Sequence, residues 1–135
     1  MRAFVVFAAL FSCAQAQVSF AAGDCAGDET DPGQRACLET HAIKSRGEVE
    51  RIEGQLRSRI TLWEQGPAVV RRSLALFEQD RVAYRAYRQA HCALQVSSAV
   101  GSDDVSDRRY ACEVDLDRGR VATIKVALDG FDPGD

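Results

Sequence analysis

The chain has 135 residues, 46 % of them hydrophobic, a formal net charge of -3 and a pI near 5.4. That length suits one globular domain, and the apolar fraction matches the roughly 45–50 % of ordinary folded chains, which excludes wholesale disorder. The acidic balance argues against a nucleic-acid partner, since such domains usually have a pI above about 9. Three prolines and ten glycines exclude a collagenous or low-complexity chain. No apolar run approaches the roughly 20 residues that a membrane span requires.

Residues 1–16 read as a secretory signal peptide. Met1-Arg2 supplies a positive charge, Ala3 to Phe11 an apolar run, and Ala14-Gln15-Ala16 a small-x-small cleavage site. Leu10-Phe11-Ser12-Cys13 is a degraded lipobox, in which Cys13 would carry a lipid anchor. Phe11 is too bulky for that pattern, so cleavage after Ala16 is the favoured reading, with a periplasmic or secreted product. Removing Arg2 leaves 16 basic residues against 20 acidic ones, a mature charge of -4.

Residues 17–33 carry Gly23, Asp24, Gly27, Asp28, Asp31, Pro32 and Gly33, the chemistry of turns, and read as an irregular lead-in. Residues 34–130 form a helical domain, with 131–135 as a tail. From Gln34 to Trp63 one apolar stripe recurs at 3–4 spacing: Leu38, Ala42, Ser45, Val49, Ile52, Leu56, Ile60 and Trp63. Gly47 and Gly54 sit inside it, each costing about 1 kcal/mol relative to Ala, which weakens the expectation of a continuous helix there. Gly66-Pro67 marks a boundary, and proline suits the first turn of the next helix. The second stripe is Val70, Leu74, Phe77, Tyr84, Tyr87 and Leu94, with Arg81 and Arg88 on or beside it. Residues 97–106 are a polar linker in which Ser102 or Ser106 could cap a third helix. That helix carries Val114, Val121, Ile124 and Leu128, with Leu116 beside them, and stops at Gly130 and Pro133. The spacing predicts an all-α fold, an antiparallel hairpin of long helices plus a third helix.

Loss of the signal removes Cys13 and leaves Cys25, Cys37, Cys92 and Cys112. An even number in an exported chain implies two disulfides. Zinc sites want close pairs such as C-x2-C, and these spacings are far wider. The hairpin count selects a pairing. Cys37 lies about 29 residues before the turn and Cys92 about 26 after it, a mismatch of only about 4–5 Å along the helices. This predicts Cys37–Cys92, closing a loop worth about 4 kcal/mol in the chain-entropy model, and leaves Cys25–Cys112.

No Gly-x-Ser-x-Gly elbow, Cys–His nucleophile or phosphate loop is present, so neither a catalytic residue nor a cofactor is expected. Asp103-Asp104 sits in a polar linker, unlike a glycosidase carboxylate pair in a shaped pocket. His41 and His91 fall near one end of the hairpin and would need a carboxylate such as Glu39 to hold a metal; two solvated histidines are the favoured reading, with no metal expected. Arg88 and Arg120 lie at core spacing. An arginine there is usually fixed by several hydrogen bonds, so both are expected to clamp carbonyls or carboxylates across the core, with ligand contact as the other role.

Arg81-x-x-Tyr84-x-x-Tyr87-Arg88-x-x-x-Cys92, a Gly101-Ser102 linker, and Cys112-x-x-x-Leu116-Asp117-x-x-Arg120-x-x-x-Ile124 together resemble the LprI-type lysozyme-inhibitor family of small exported helical bacterial domains. The resemblance spans about residues 25–128 and rests on the four cysteines, Arg88 and Arg120. Arg81, Tyr84 and Asp117 stand where that pattern has Gln, Trp and Thr, and Ile52-Glu53-Gly54-Gln55-Leu56 replaces its Leu-Asn-x-x-Tyr. The resemblance implies a non-enzymatic envelope protein that binds and occludes a lysozyme. The linker at residues 97–106 is the expected element to enter the cleft, since binding residues concentrate on loops held by a rigid scaffold. Arg88, Arg120, Tyr84 and Tyr87 are structural clamp or binding candidates. The other reading is a structural or interaction module of the envelope with no lysozyme target.

Overall fold

A computed structural model describes residues 23–25 and 31–131. Residues 1–22, with the signal segment and Cys13, lie outside the described residues. Three helices follow in chain order: α1 (Asp31–Thr61), α2 (Pro67–Ser97) and α3 (Val105–Gly130). The all-α hairpin with a third helix is therefore the observed architecture. No helix among the described residues is long and apolar enough to cross a membrane.

α1 begins three residues earlier than the spacing predicted, because Pro32 occupies its first turn, where a missing N–H is no loss. It runs unbroken through Gly47 and Gly54, both on exposed faces with open space where a Cβ would stand. Its whole predicted stripe from Leu38 to Ile60 is buried, including Ser45. α1 packs most extensively on α3, running parallel to it, and α2 runs antiparallel to both.

α2 presents Val70, Leu74, Phe77, Arg81, Tyr84, Arg88 and Cys92 to the bundle. Tyr87 (53 % exposed) and Leu94 (72 %) do not belong to that face, contrary to the predicted stripe. Each residue turns the helix by about 100°, so Tyr87 is rotated off the line set by Tyr84 and Arg88, and Leu94 is rotated twice as far from Cys92. On α3, Val114, Val121 and Ile124 are buried as expected. Neither serine caps it. Asp104 holds the N-cap position without a side-chain bond to the backbone, its carboxylate engaged by Arg108 Nε at 2.6 Å.

The disulfides are Cys25–Cys37 and Cys92–Cys112, which corrects both predicted pairings. The count along the hairpin established level, not neighbourhood. The start of α1, the end of α2 and the start of α3 all lie at one end of an up-down-up bundle, so Cys37, Cys92 and Cys112 share a level. The α2–α3 hairpin satisfies Cys92 by the same counting, over a sequence separation of only 20. Cys37 is left to the folded-back lead-in. The bridges close short loops, with sequence separations of 12 and 20, and each is worth about 3 kcal/mol in the chain-entropy model. Two further contacts secure this end: Arg35 Nη2 donates to the Asp103 carbonyl at 2.7 Å, and its Nε donates to Asp107 at 3.1 Å. At the far end, Trp63 meets Phe131 edge-on, with centroids 4.9 Å apart.

Candidate functional site

The apolar core is divided. One cluster, at the far end, contains Val49, Ile52, Leu56, Ile60, Phe77, Val121 and Ile124. A second, at the stapled end, contains Cys25, Leu38, Ala42, Ala111 and Val114. Between and alongside them runs a layer of buried charge. It arises because α3 carries Glu113, Asp117 and Arg120 at the same 4–3 spacing that places Ile124 in the core.

Asp117 is its centre, 1 % exposed. Arg88 grips it as a fork, Nε to Oδ1 at 2.8 Å and Nη2 to Oδ2 at 3.0 Å. Tyr84 Oη donates to Oδ1 at 2.7 Å and Ser45 Oγ to Oδ2 at 2.8 Å. All three helices thus converge on one carboxylate. Arg88 Nη2 also donates to Glu113 at 3.1 Å, and Arg109 and Arg46 approach Glu113 from outside at 3.3 and 3.6 Å.

A second node sits at Glu53, 3 % exposed. Arg81 Nε donates to it at 2.9 Å, and Arg120 Nε and Nη2 at 3.1 and 2.9 Å. Arg120 Nη2 also lies 2.6 Å from Asp80, and its guanidinium covers the Tyr84 ring at 4.9 Å, joining the two nodes by a cation–π contact.

Burial works against charge on Arg88 and Arg120, but the carboxylate bonds more than offset it, Asp117 for Arg88 and Asp80 with Glu53 for Arg120; both guanidiniums end above their ordinary value. The bond to Glu53 is the main cause of the same rise at Arg81. Burial first, and the bond to Asp117 second, pushes the Tyr84 phenol well above the ordinary tyrosine range.

Of the residues singled out in the sequence, Arg88, Arg120 and Tyr84 meet in this layer. Tyr87 does not: it stands outside, its ring tilted against His91 at 5.2 Å. His41 and His91 are in different surroundings, His41 beside Cys25 and Cys37, His91 beside Tyr87 and Gln95. Sequence reasoning missed Glu53, Asp117, Ser45 and Glu113 as partners. Ser45 stood in the predicted stripe without its acceptor; the three acids also fall on or next to core-spaced positions, but an apolar search passes over charged residues there.

Above Asp117 the first two helices part. The cleft has a volume of about 190 Å³, with Val49, Tyr84, Arg88 and Asp117 in its wall and Arg46, Glu50 and Arg85 around its rim. That is small against the roughly 300–1,000 Å³ of cofactor and drug-sized ligand sites. A different surface stands out at the stapled end. The connection after α2 turns tightly through Gly101, whose φ is +92°, and leaves Val100 80 % exposed at its tip. Ala99 is buried beneath it, and Ser102 Oγ donates back to the Ala99 carbonyl at 2.7 Å. The Cys92–Cys112 bridge and Arg35 hold the base of this turn. No family model, curated protein or solved structure matches the chain.

Proposed function

We propose that the chain is an exported, non-enzymatic binding protein of a bacterial envelope that occludes the cleft of a lysozyme, as the LprI-type resemblance implies. The observation that carries this reading is the exposed Val100-Gly101 turn on a doubly fastened base. Binding residues concentrate on loops held by rigid scaffolds, and a turn already fixed in shape loses little entropy when it inserts. The mature charge of -4 favours encounter with a cationic partner. The ionic layer, by contrast, is occupied by its own partners and serves as scaffold.

The test is a pull-down against a panel of lysozymes with matched muramidase assays. Inhibition by the wild-type chain, lost in Val100→Asp with the melting temperature unchanged, is the expected result. A chain that retains no lysozyme and slows no muramidase across the panel refutes the reading in favour of an envelope interaction module. Inhibition that survives Val100→Asp places the contact elsewhere.

A further inference from the structure

The Cys25–Cys37 bridge has a neighbour that the Cys92–Cys112 bridge lacks. Cys37 and His41 are one helical turn apart on α1, and Cys25 is brought onto them by the lead-in. The two sulfurs and a ring nitrogen of His41 lie within 4.8 Å of one another. Among the described residues this is the one group of three or more His, Cys, Asp and Glu donors gathered so closely. Among the described residues Cys92 and Cys112 have no such third donor, although His91 is adjacent in sequence, because His91 is turned toward Tyr87 and Gln95.

We propose that Cys25, Cys37 and His41 form a zinc(II) site that exists when their disulfide is reduced. Two thiolates and a neutral imidazole are an established donor set for this ion, and they leave one coordination position for water. Thiolates on a tetrahedral zinc sit about 3.8 Å apart, so the sulfurs need only separate within the spread the three donors already have. The charges also balance: two thiolates neutralise the dication, which suits a site whose Cys25 is 2 % exposed.

The reductant is a small thiol. Its thiolate attacks Sγ of Cys37, the more accessible of the pair, and Cys25 leaves as thiolate. A second thiol attacks the mixed disulfide, freeing Cys37 and releasing the oxidised thiol dimer. Zinc then binds both sulfurs, and the protons they carried pass to solvent. The oxidised chain is closed to the metal, so the same three residues are either a staple or a metal site, according to the thiol poise around them.

Cobalt(II) is the probe, since thiolate coordination gives it charge-transfer bands in the near ultraviolet and tetrahedral geometry intensifies its visible bands. The full mature chain is reduced with dithiothreitol, desalted without oxygen and titrated. One cobalt per reduced chain, displaced by zinc, with none taken up by the oxidised chain, is the expected result. C92S/C112S binds as wild type does, H41A binds at least about tenfold more weakly, and C25S loses the charge-transfer bands. Absence of cobalt uptake by the reduced chain overturns the proposal. So does uptake that H41A and C25S leave unchanged, or uptake accompanied by loss of helical circular dichroism, which marks binding by unfolded thiols.

Discussion

Arg88→Ala tests whether the buried layer is a scaffold. The substitution removes the fork on Asp117 and the bond to Glu113, but not equally harmful losses. Glu113 keeps Arg46 and Arg109 beside it. Asp117 keeps Tyr84 and Ser45 as hydrogen-bond donors but loses, at 1 % exposure, the one guanidinium among the described residues that grips it. Removing one partner of a buried pair costs about 3–5 kcal/mol, most of it the remaining uncompensated charge. Arg88 retains 15 % side-chain exposure, through which water can enter the vacated space, so the low end of that range, about 3 kcal/mol, applies. At roughly 2 cal/mol/K of unfolding entropy per residue over about 100 ordered residues, the melting temperature falls by roughly 10–15 °C. Arg88→Lys recovers little, because an ammonium meets one carboxylate oxygen and not both. Combining Arg88→Met with Asp117→Asn removes the charge together with its partner, and the double variant should melt well above the value that adding the two single losses gives. Thermal melts of the oxidised chains, followed by circular dichroism, decide the matter. A midpoint for Arg88→Ala within about 2 °C of wild type refutes the scaffold role and moves Arg88 to the binding surface.

Non-reducing peptide mapping should recover Cys25–Cys37 and Cys92–Cys112 peptides; a Cys37–Cys92 peptide would contradict the observed end of the bundle. Gly47→Ala and Gly54→Ala face open space on an exposed helix, so each should raise stability by about 0.5–1 kcal/mol in denaturant melts, whereas Gly101→Ala, at φ +92°, should lower it. Tyr84 is raised in the folded state above its unfolded value of about 10, so its contribution is complete below pH 10 and is lost as pH climbs from there toward the folded value. The stability gap between wild type and Tyr84→Phe should therefore hold steady from pH 7 to about 10 and shrink above it in a pH series of melts.

The helices were legible because apolar residues announce themselves by spacing. The α1 stripe from Leu38 to Ile60 could be read residue by residue, and Val114, Val121 and Ile124 likewise. Partnership was not legible. Cys37 and Cys92 do lie at one level, but spacing along a helix carries no information about which of two neighbours a side chain faces, and three helix ends compete at that level. Asp117 and Glu53 escaped for another reason. A buried carboxylate is identified by the cations around it, and those cations stand 29 and 28 residues away in sequence, on another helix. Arg88 and Arg120 could be suspected from core spacing alone; the identity of their acceptors needed the fold.

The ionic layer has a consequence for the turn that the functional reading depends on. Three helices lined mainly with Val, Ile, Leu and Ala could slide past each other by one turn and still bury apolar surface. The charged layer forbids it. A shift of α3 by one turn would carry Asp117 away from Ser45, Tyr84 and Arg88 and Arg120 away from Glu53, stripping one buried carboxylate of these donors and leaving the other with Arg81, at a cost of several kcal/mol. A shift of α2 would break Arg88 from Asp117 and Arg81 from Glu53 together. One register alone satisfies every member. That register is also what places Cys92 opposite Cys112 and brings Arg35 to the Asp103 carbonyl. The geometry of the Val100-Gly101 tip is therefore fixed from the middle of the bundle, by residues that are buried or half-buried there.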